Sequence, residues 1–179
     1  GGKGPCFTVA TACASSNHAM GQAFQMVRSG MAKVMLTGGS DSMLCFGGIK
    51  AWEGLRVLSP DGCRPFCLSR NGMVQGEGAA VFVFEDYEHA AARGANILAE
   101  VAGFSMTADA ADIVVPNEEG AARAMAASVN DAGLTADQIG YVNAHGTATA
   151  VNDKTEVAAL RSAFGAAANG MAVSSTKSM

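Results

Sequence analysis

A chain of 179 residues, 49% of them hydrophobic and 16% charged, can bury a substantial core, and 22 glycines allow its elements to approach closely. A formal charge of −4 argues against nucleic acid or an acidic membrane as the main partner, and no apolar run is long enough to span a bilayer. Five cysteines, an odd number, do not read as a disulfide framework, so a reducing, cytoplasmic setting is expected.

In chain order, Phe7, Val9 and Thr11 predict a buried strand that stops at Cys13. The period then changes: Ala19, Met20, Ala23, Phe24, Met26 and Val27 recur as on one helix face, closed by Arg28 and Gly30. Lys33–Thr37 predicts a second strand, and strand, helix, strand at this spacing suggests a βαβ unit in a parallel sheet. Residues 42–80 are rich in glycine and proline and predict an irregular segment carrying Arg56, Arg64 and Arg70. Further strands are expected at Ala79–Phe84, Ile97–Phe104, Ile139–Ala144 and Met171–Ser175. Helices are expected from Asp86 to Arg93, Glu118 to Ala132 and Asp153 to Phe164. The charged patch from Glu85 to His89, with Arg93, divides the chain at 1–88 and 89–179.

Two strand ends carry reactive side chains. Cys13 falls at a strand-to-helix turn, where free N–H groups and the positive helix end favour a thiolate; otherwise it is a small core cysteine, as Cys6 and Cys45 are expected to be. His145 ends the strand Ile139–Ala144 and is followed by Gly146 and two alternate hydroxyls, Thr147 and Thr149. Asp153 and Glu156, three apart on one helix face, are either an acid/base pair or a helix-start charge with an ion-pair partner. Lys177 ends the last strand and implies a carboxylate nearby. Cys63 and Cys67 are too few for a metal site, and Gly72–Gly78 precedes a strand rather than a helix, against a phosphate loop.

The segments Thr11-Ala-Cys-Ala-Ser-Ser16, Asn143-Ala-His-Gly-Thr-Ala-Thr149 with Asn152-Asp-Lys-Thr-Glu156, and Ser174-Ser-Thr-Lys-Ser-Met179 resemble three signatures of β-ketoacyl-acyl-carrier-protein synthases of the elongating type. Val74–Gly78 and Ile139–Asn143 extend the resemblance over essentially the whole chain. Asn17–Arg28 and Cys45–Trp52 resemble the branch that contains nodulation ketosynthases.

The resemblance implies an α/β thiolase-like fold, an αβαβα layered sandwich of two similar halves in a homodimer, of which this chain holds only part. It implies that Cys13 takes an acyl chain from a carrier-protein thioester, with its own N–H donating to the thioester oxygen. His145 then supports decarboxylation of malonyl thioester, and the carbanion attacks the acyl group. Thr147 and Thr149 correspond to hydroxyls that hold the pantetheine arm, Lys177 and Glu156 to a charged pair that orders the site, and Asp153 to a supporting residue. Trp52 lies near the implied acyl pocket, and Arg56 and Lys50 are candidates for docking an acidic acyl carrier protein. No metal or cofactor is required, because the substrates travel on phosphopantetheine. The second catalytic histidine of this family is expected beyond Met179, so the chain reads as an internal fragment that does not condense by itself. A thiolase would need a second cysteine after Cys67, where none occurs. A non-catalytic partner subunit would usually lack the nucleophile.

Overall fold

The computed structural model describes residues 2–179. Its elements in chain order are α1 (Ser15–Arg28), β1 (Val34–Asp41), α2 (Phe46–Gly54), β2 (Gly78–Glu85), α3 (Tyr87–Ala92), α4 (Glu118–Asp131), β3 (Tyr141–Asn143), α5 (Ala150–Phe164) and β4 (Ala172–Ser174). Short 3-10 turns lie at Ala12–Ala14, Ala136–Gln138, Gly165–Gly170 and Thr176–Ser178. The chain divides into two compact units, one running through Ser42 and including Glu77–Ala102, the other comprising Met43–Gly76 and Gly103–Met179.

In the first unit β1 and β2 pair antiparallel, with Val34 opposite Glu85 and Asp41 opposite Gly78. α1 packs on this ribbon through its small residues, burying Gly21 and Ala23, while Thr37 is buried on β1. Leu36, Val81 and Val83 stay exposed. At the start of α3 the Asp86 side chain accepts the His89 N–H at 3.0 Å, a standard N-cap. Glu85 takes two hydrogen bonds from Arg93, at 2.6 and 2.8 Å, which with His89 hold its carboxyl down to about 2.

The second unit is built on α4 against α5, where Ala122, Ala159, Leu160 and Phe164 are buried. Asn117 caps α4 and Thr149 caps α5, each side chain accepting a backbone N–H from the first turn. β3 and β4 pair in parallel, with Tyr141 opposite Ala172 and Asn143 opposite Ser174, so the turns after β3 and β4 lie side by side.

Several expectations are corrected. Residues 5–11 form no strand, and Phe7 is 55% exposed. An apolar β-branched run becomes a strand only where a neighbour completes its hydrogen-bond ladder, and among the described residues none does. Ile97–Phe104 likewise lacks a ladder; the Phe104 N–H donates to the Asp131 carboxylate at 2.9 Å instead. The expected parallel βαβ unit is replaced by the antiparallel β1–β2 pair. The segment 42–80 contains α2, hidden in the sequence because Gly47 and Gly48 depress its helical propensity. Cys6 and Cys45 are exposed rather than core residues.

Candidate active site

Cys13 belongs to the first unit. It sits at the centre of the 3-10 turn Ala12–Ala14 that runs directly into α1, and its side chain is exposed. Ala12 is held at φ +50°, a conformation that costs energy for any residue with a Cβ. The turn is fastened by Ser15, whose Oγ accepts the Thr11 N–H at 2.9 Å and donates to the Ala12 carbonyl at 2.7 Å. α1 starts at Ser15, just after Cys13, and no side chain caps it, so the positive end of its dipole favours an anion beside Cys13. An open cleft of about 470 Å³ includes Cys13, Ser16, Ser40, Asp41 and Ala79 in its lining.

Close packing holds this turn from below. A Cβ added at Gly39 of β1 would lie 1.8 Å from Ser16 Oγ and 2.9 Å from Ser16 Cβ. The helix start therefore rests against bare strand backbone, and only glycine fits.

His145, Lys177 and the residues expected to accompany them belong to the second unit. β3 delivers His145 into a turn whose backbone is gripped on both sides. Glu156 Oε1 accepts the His145 N–H at 2.6 Å and Oε2 accepts the Gly146 N–H at 2.8 Å. On the carbonyl side, Lys177 Nζ donates to the His145 carbonyl, and Ser175 Oγ donates to the Gly146 carbonyl at 2.9 Å. Among the described residues, Lys177 and Glu156 form no ion pair with each other. The expected charged pair is instead two charges holding opposite edges of one residue. Gly146, at φ +44°, leaves space that a Cβ would take from Ser175 Cβ, 2.4 Å away.

Asp153, 1% exposed in the first turn of α5, has the geometry of a helix-start charge with an ion-pair partner, which is Arg70. Oδ1 accepts the Ala148 N–H at 3.1 Å, Oδ2 accepts the Phe66 N–H at 2.7 Å, and Arg70 Nε lies 3.7 Å from Oδ2. The hydroxyls of Thr147 and Thr149 meet at 2.9 Å. Sequence reasoning noted Arg70 only as one of three arginines in an irregular segment and missed Phe66 and Ser175. No local spacing signals a partner 87 residues away.

The His145 ring keeps solvent access, yet the surrounding protein withdraws enough water to lower its pKa below the ordinary 6.5. The Lys177 ammonium adds to this, while Glu156 and Asp153 pull the other way. A lowered folded-state value means that the neutral ring's contribution to stability is present above 6.5 and is lost as pH falls through the folded-state value. An NMR titration of the imidazole should give a midpoint below 6.5, and Lys177→Met should move it upward. A midpoint at or above 6.5 in the unsubstituted protein would refute this account.

Of the other expected residues, Lys50 and half-buried Trp52 lie on α2, and Arg56 follows its end at φ +55°. Lys50 pairs with Glu53 at 2.6 Å.

The fold and both turns define a thiolase-like α/β protein with a cysteine on a helix-initiating turn and a histidine on a clamped one. The beta-ketoacyl synthase N-terminal domain matches residues 1–90 and the beta-ketoacyl synthase C-terminal domain residues 98–179. The chain belongs to the beta-ketoacyl synthase family. It is 55% identical over 177 residues to nodulation protein E of Rhizobium leguminosarum bv. trifolii, covering 99% of this chain and 44% of the relative. It is 45% identical over 186 residues to 3-oxoacyl-[acyl-carrier-protein] synthase 2 of Staphylococcus aureus, covering 100% of this chain and 46% of the relative. The chain thus spans less than half the length of the curated relatives it matches. Among solved structures, the ishigamide ketosynthase/chain length factor superposes with a TM-score of 0.93 at 40% identity, over 97% of this chain and 42% of that one. A type II PKS ketosynthase in complex with its acyl-carrier protein superposes with a TM-score of 0.88 at 35% identity, over 93% of this chain and 43% of that one.

Proposed function

We propose that these residues serve decarboxylative Claisen condensation of an acyl thioester with malonyl-acyl-carrier protein, giving 3-oxoacyl-acyl-carrier protein in fatty acid or related lipid synthesis. The observation that carries the reading is the exposed Cys13 thiol at the uncapped start of α1, on a turn held in a strained conformation. In the first step the Cys13 thiolate attacks the acyl thioester carbonyl and the carrier's pantetheine thiol leaves. Thioester replaces thioester, so the step is nearly balanced in energy. In the second step malonyl thioester loses carbon dioxide, and its carbanion attacks the acyl group as the Cys13 sulfur departs. Neutral His145 donates an N–H to the oxygen on which negative charge develops, and the N–H of Cys13 does the same for the acyl thioester.

Thr147 and Thr149 hold the pantetheine arm, and Lys177, Glu156 and Asp153 fix the His145 turn. Trp52 bears on acyl length, and Arg56, more than the already paired Lys50, meets the acidic carrier. Acyl carrier protein as partner is supported by the related ketosynthase solved in complex with one. The same reading includes a cytoplasmic homodimer and two thiolase-like halves parting near residues 88 and 89. A polyketide-type ketosynthase is the second reading, favoured by the likeness to the ishigamide ketosynthase/chain length factor.

Because the chain by itself is not expected to condense, the test uses a protein that contains it at the full length of its relatives, incubated with acyl- and malonyl-acyl-carrier protein while carbon dioxide and product mass are followed together. One carbon dioxide should appear for each 3-oxoacyl product. Acyl exchange without carbon dioxide would replace condensation by simple acyl transfer.

A further inference from the structure

Ala148 is fully buried at φ +64°, and Phe66 stands at φ +61°. Residues with a Cβ hold such angles only where the surroundings over-determine them. These two lie on different segments, 82 positions apart in the numbering (148 less 66), and a single carboxylate, that of Asp153, takes both N–H groups.

The carbonyl side is as closely accounted for. Every carbonyl from Thr147 to Ala150 is met by a group of segment 63–72. Cys63 Sγ lies 4.0 Å from the Thr147 oxygen, and the Gly72 N–H donates to Ala148 at 3.0 Å. Arg70 donates through Nε to Thr149 at 3.2 Å and through Nη2 to Ala150 at 3.1 Å. The remaining terminal nitrogen of Arg70 donates to the Cys67 carbonyl of its own segment at 3.1 Å. The segment is itself laced from behind, where Ser59 Oγ reaches Asn71 Oδ1 at 2.7 Å and Arg64 Nη2 reaches Asp61 Oδ1 at 3.1 Å.

We propose that segment 63–72 is a rail along which the backbone of the His145–Thr149 turn is registered, with Arg70 as its positioning residue. The function of the rail rests on the reading of Thr147 and Thr149 as ligands of the substrate's thioester arm. Their hydroxyls are only as well placed as the backbone that carries them, and that backbone is left-handed at the alanine between them. A planar guanidinium sends donors in fixed, divergent directions and so spans the carbonyls of 67, 149 and 150 at once. A lysine ammonium in its place would keep the charge beside Asp153 but lose this set of directions.

Arg70→Met and Arg70→Lys test the rail in two ways. The first is amide hydrogen exchange at Gly146 and Ala148, which should accelerate in both variants. The second is kinetics with acyl- and malonyl-acyl-carrier protein, in a protein that contains this chain at the full length of its relatives. A misregistered turn of about 1 Å should lower kcat/KM about 10²-fold, mainly through KM, with lysine no better than methionine within about threefold. Alkylation of Cys13 by iodoacetamide, read by peptide mass, should keep its wild-type rate and so shows that the protein remains folded around the nucleophile. Unchanged exchange at Gly146 and Ala148, or full recovery of kcat/KM by lysine, overturns the proposal. If a protein that contains the unsubstituted chain at the full length of its relatives makes no 3-oxoacyl product, the condensing reading fails, and the exchange measurement still decides the rail.

Discussion

Replacing Cys13 with alanine is expected to abolish the acyl-enzyme. In a protein that contains this chain at the full length of its relatives, with acyl-carrier-protein thioester as donor, the unsubstituted form should gain the mass of one acyl group, and the Cys13→Ala form none. The effect should be large because nothing else in the turn can replace the sulfur: Ser15 is spent fastening Thr11 to Ala12. Alanine fits the 3-10 turn without strain beyond that already present, so the loss is chemical rather than structural. Removing a nucleophile outright typically costs several orders of magnitude, and acyl transfer should fall by at least about 10³-fold. Cys13→Ser keeps a nucleophile of similar size but one that is not ionised near neutral pH, and it should acylate only slowly. If Cys13→Ala still acquires the acyl mass, on any of the four other cysteines, the assignment of Cys13 is wrong.

The second large effect is on stability. Asp153→Ala removes the acceptor for two backbone N–H groups and leaves Arg70, already 21% exposed, without its carboxylate. Breaking a buried, hydrogen-bonded charge pair from one side costs about 3–5 kcal/mol. For a protein of this size that corresponds to a fall in Tm on the order of 10 °C. Asp153→Asn keeps one acceptor but turns a donor toward the other N–H, and should fall between the two. Chemical denaturation with the three proteins side by side decides it. An alanine variant within about 1 kcal/mol of the parent would mean that Ala148 and Phe66 hold their left-handed angles without the carboxylate.

Both effects bear on what the sequence could reveal. α1, α4 and α5 were legible because periodic apolar residues and glycine stops act over a few residues. The chemistry of Cys13 and His145 was legible for the same reason, since each sits where one local pattern gives way to another. Pairing was not legible. Lys33–Thr37 reads as a strand whichever partner it takes, but Gly38–Asp41 reads as a turn and instead continues β1, because its partner begins at Gly78, across a segment that looks irregular. Phe7 and Ile97 carry strand-forming residues, but propensity supplies no neighbour to receive their hydrogen bonds. Asp153 shows the limit most plainly. In the sequence it is a carboxylate in the first turn of a helix, a common surface arrangement. Its burial follows from Phe66 and Arg70, whose approach is a property of the folded unit.

The contact between Gly39 and Ser16 has a further consequence for how this protein can change. Position 39 has no room for even a methyl group, since rotating the serine hydroxyl away still leaves Ser16 Cβ 2.9 Å from a new Cβ. The strand and the helix that bears the nucleophile therefore behave as a single mechanical part. Mutational searches for altered substrate preference will find position 39 closed, and must reshape the cleft from other residues that line it, such as Ser40 or Ala79. In that sense the reaction centre is insulated from drift along β1, and its freedom to evolve lies on the cleft's rim.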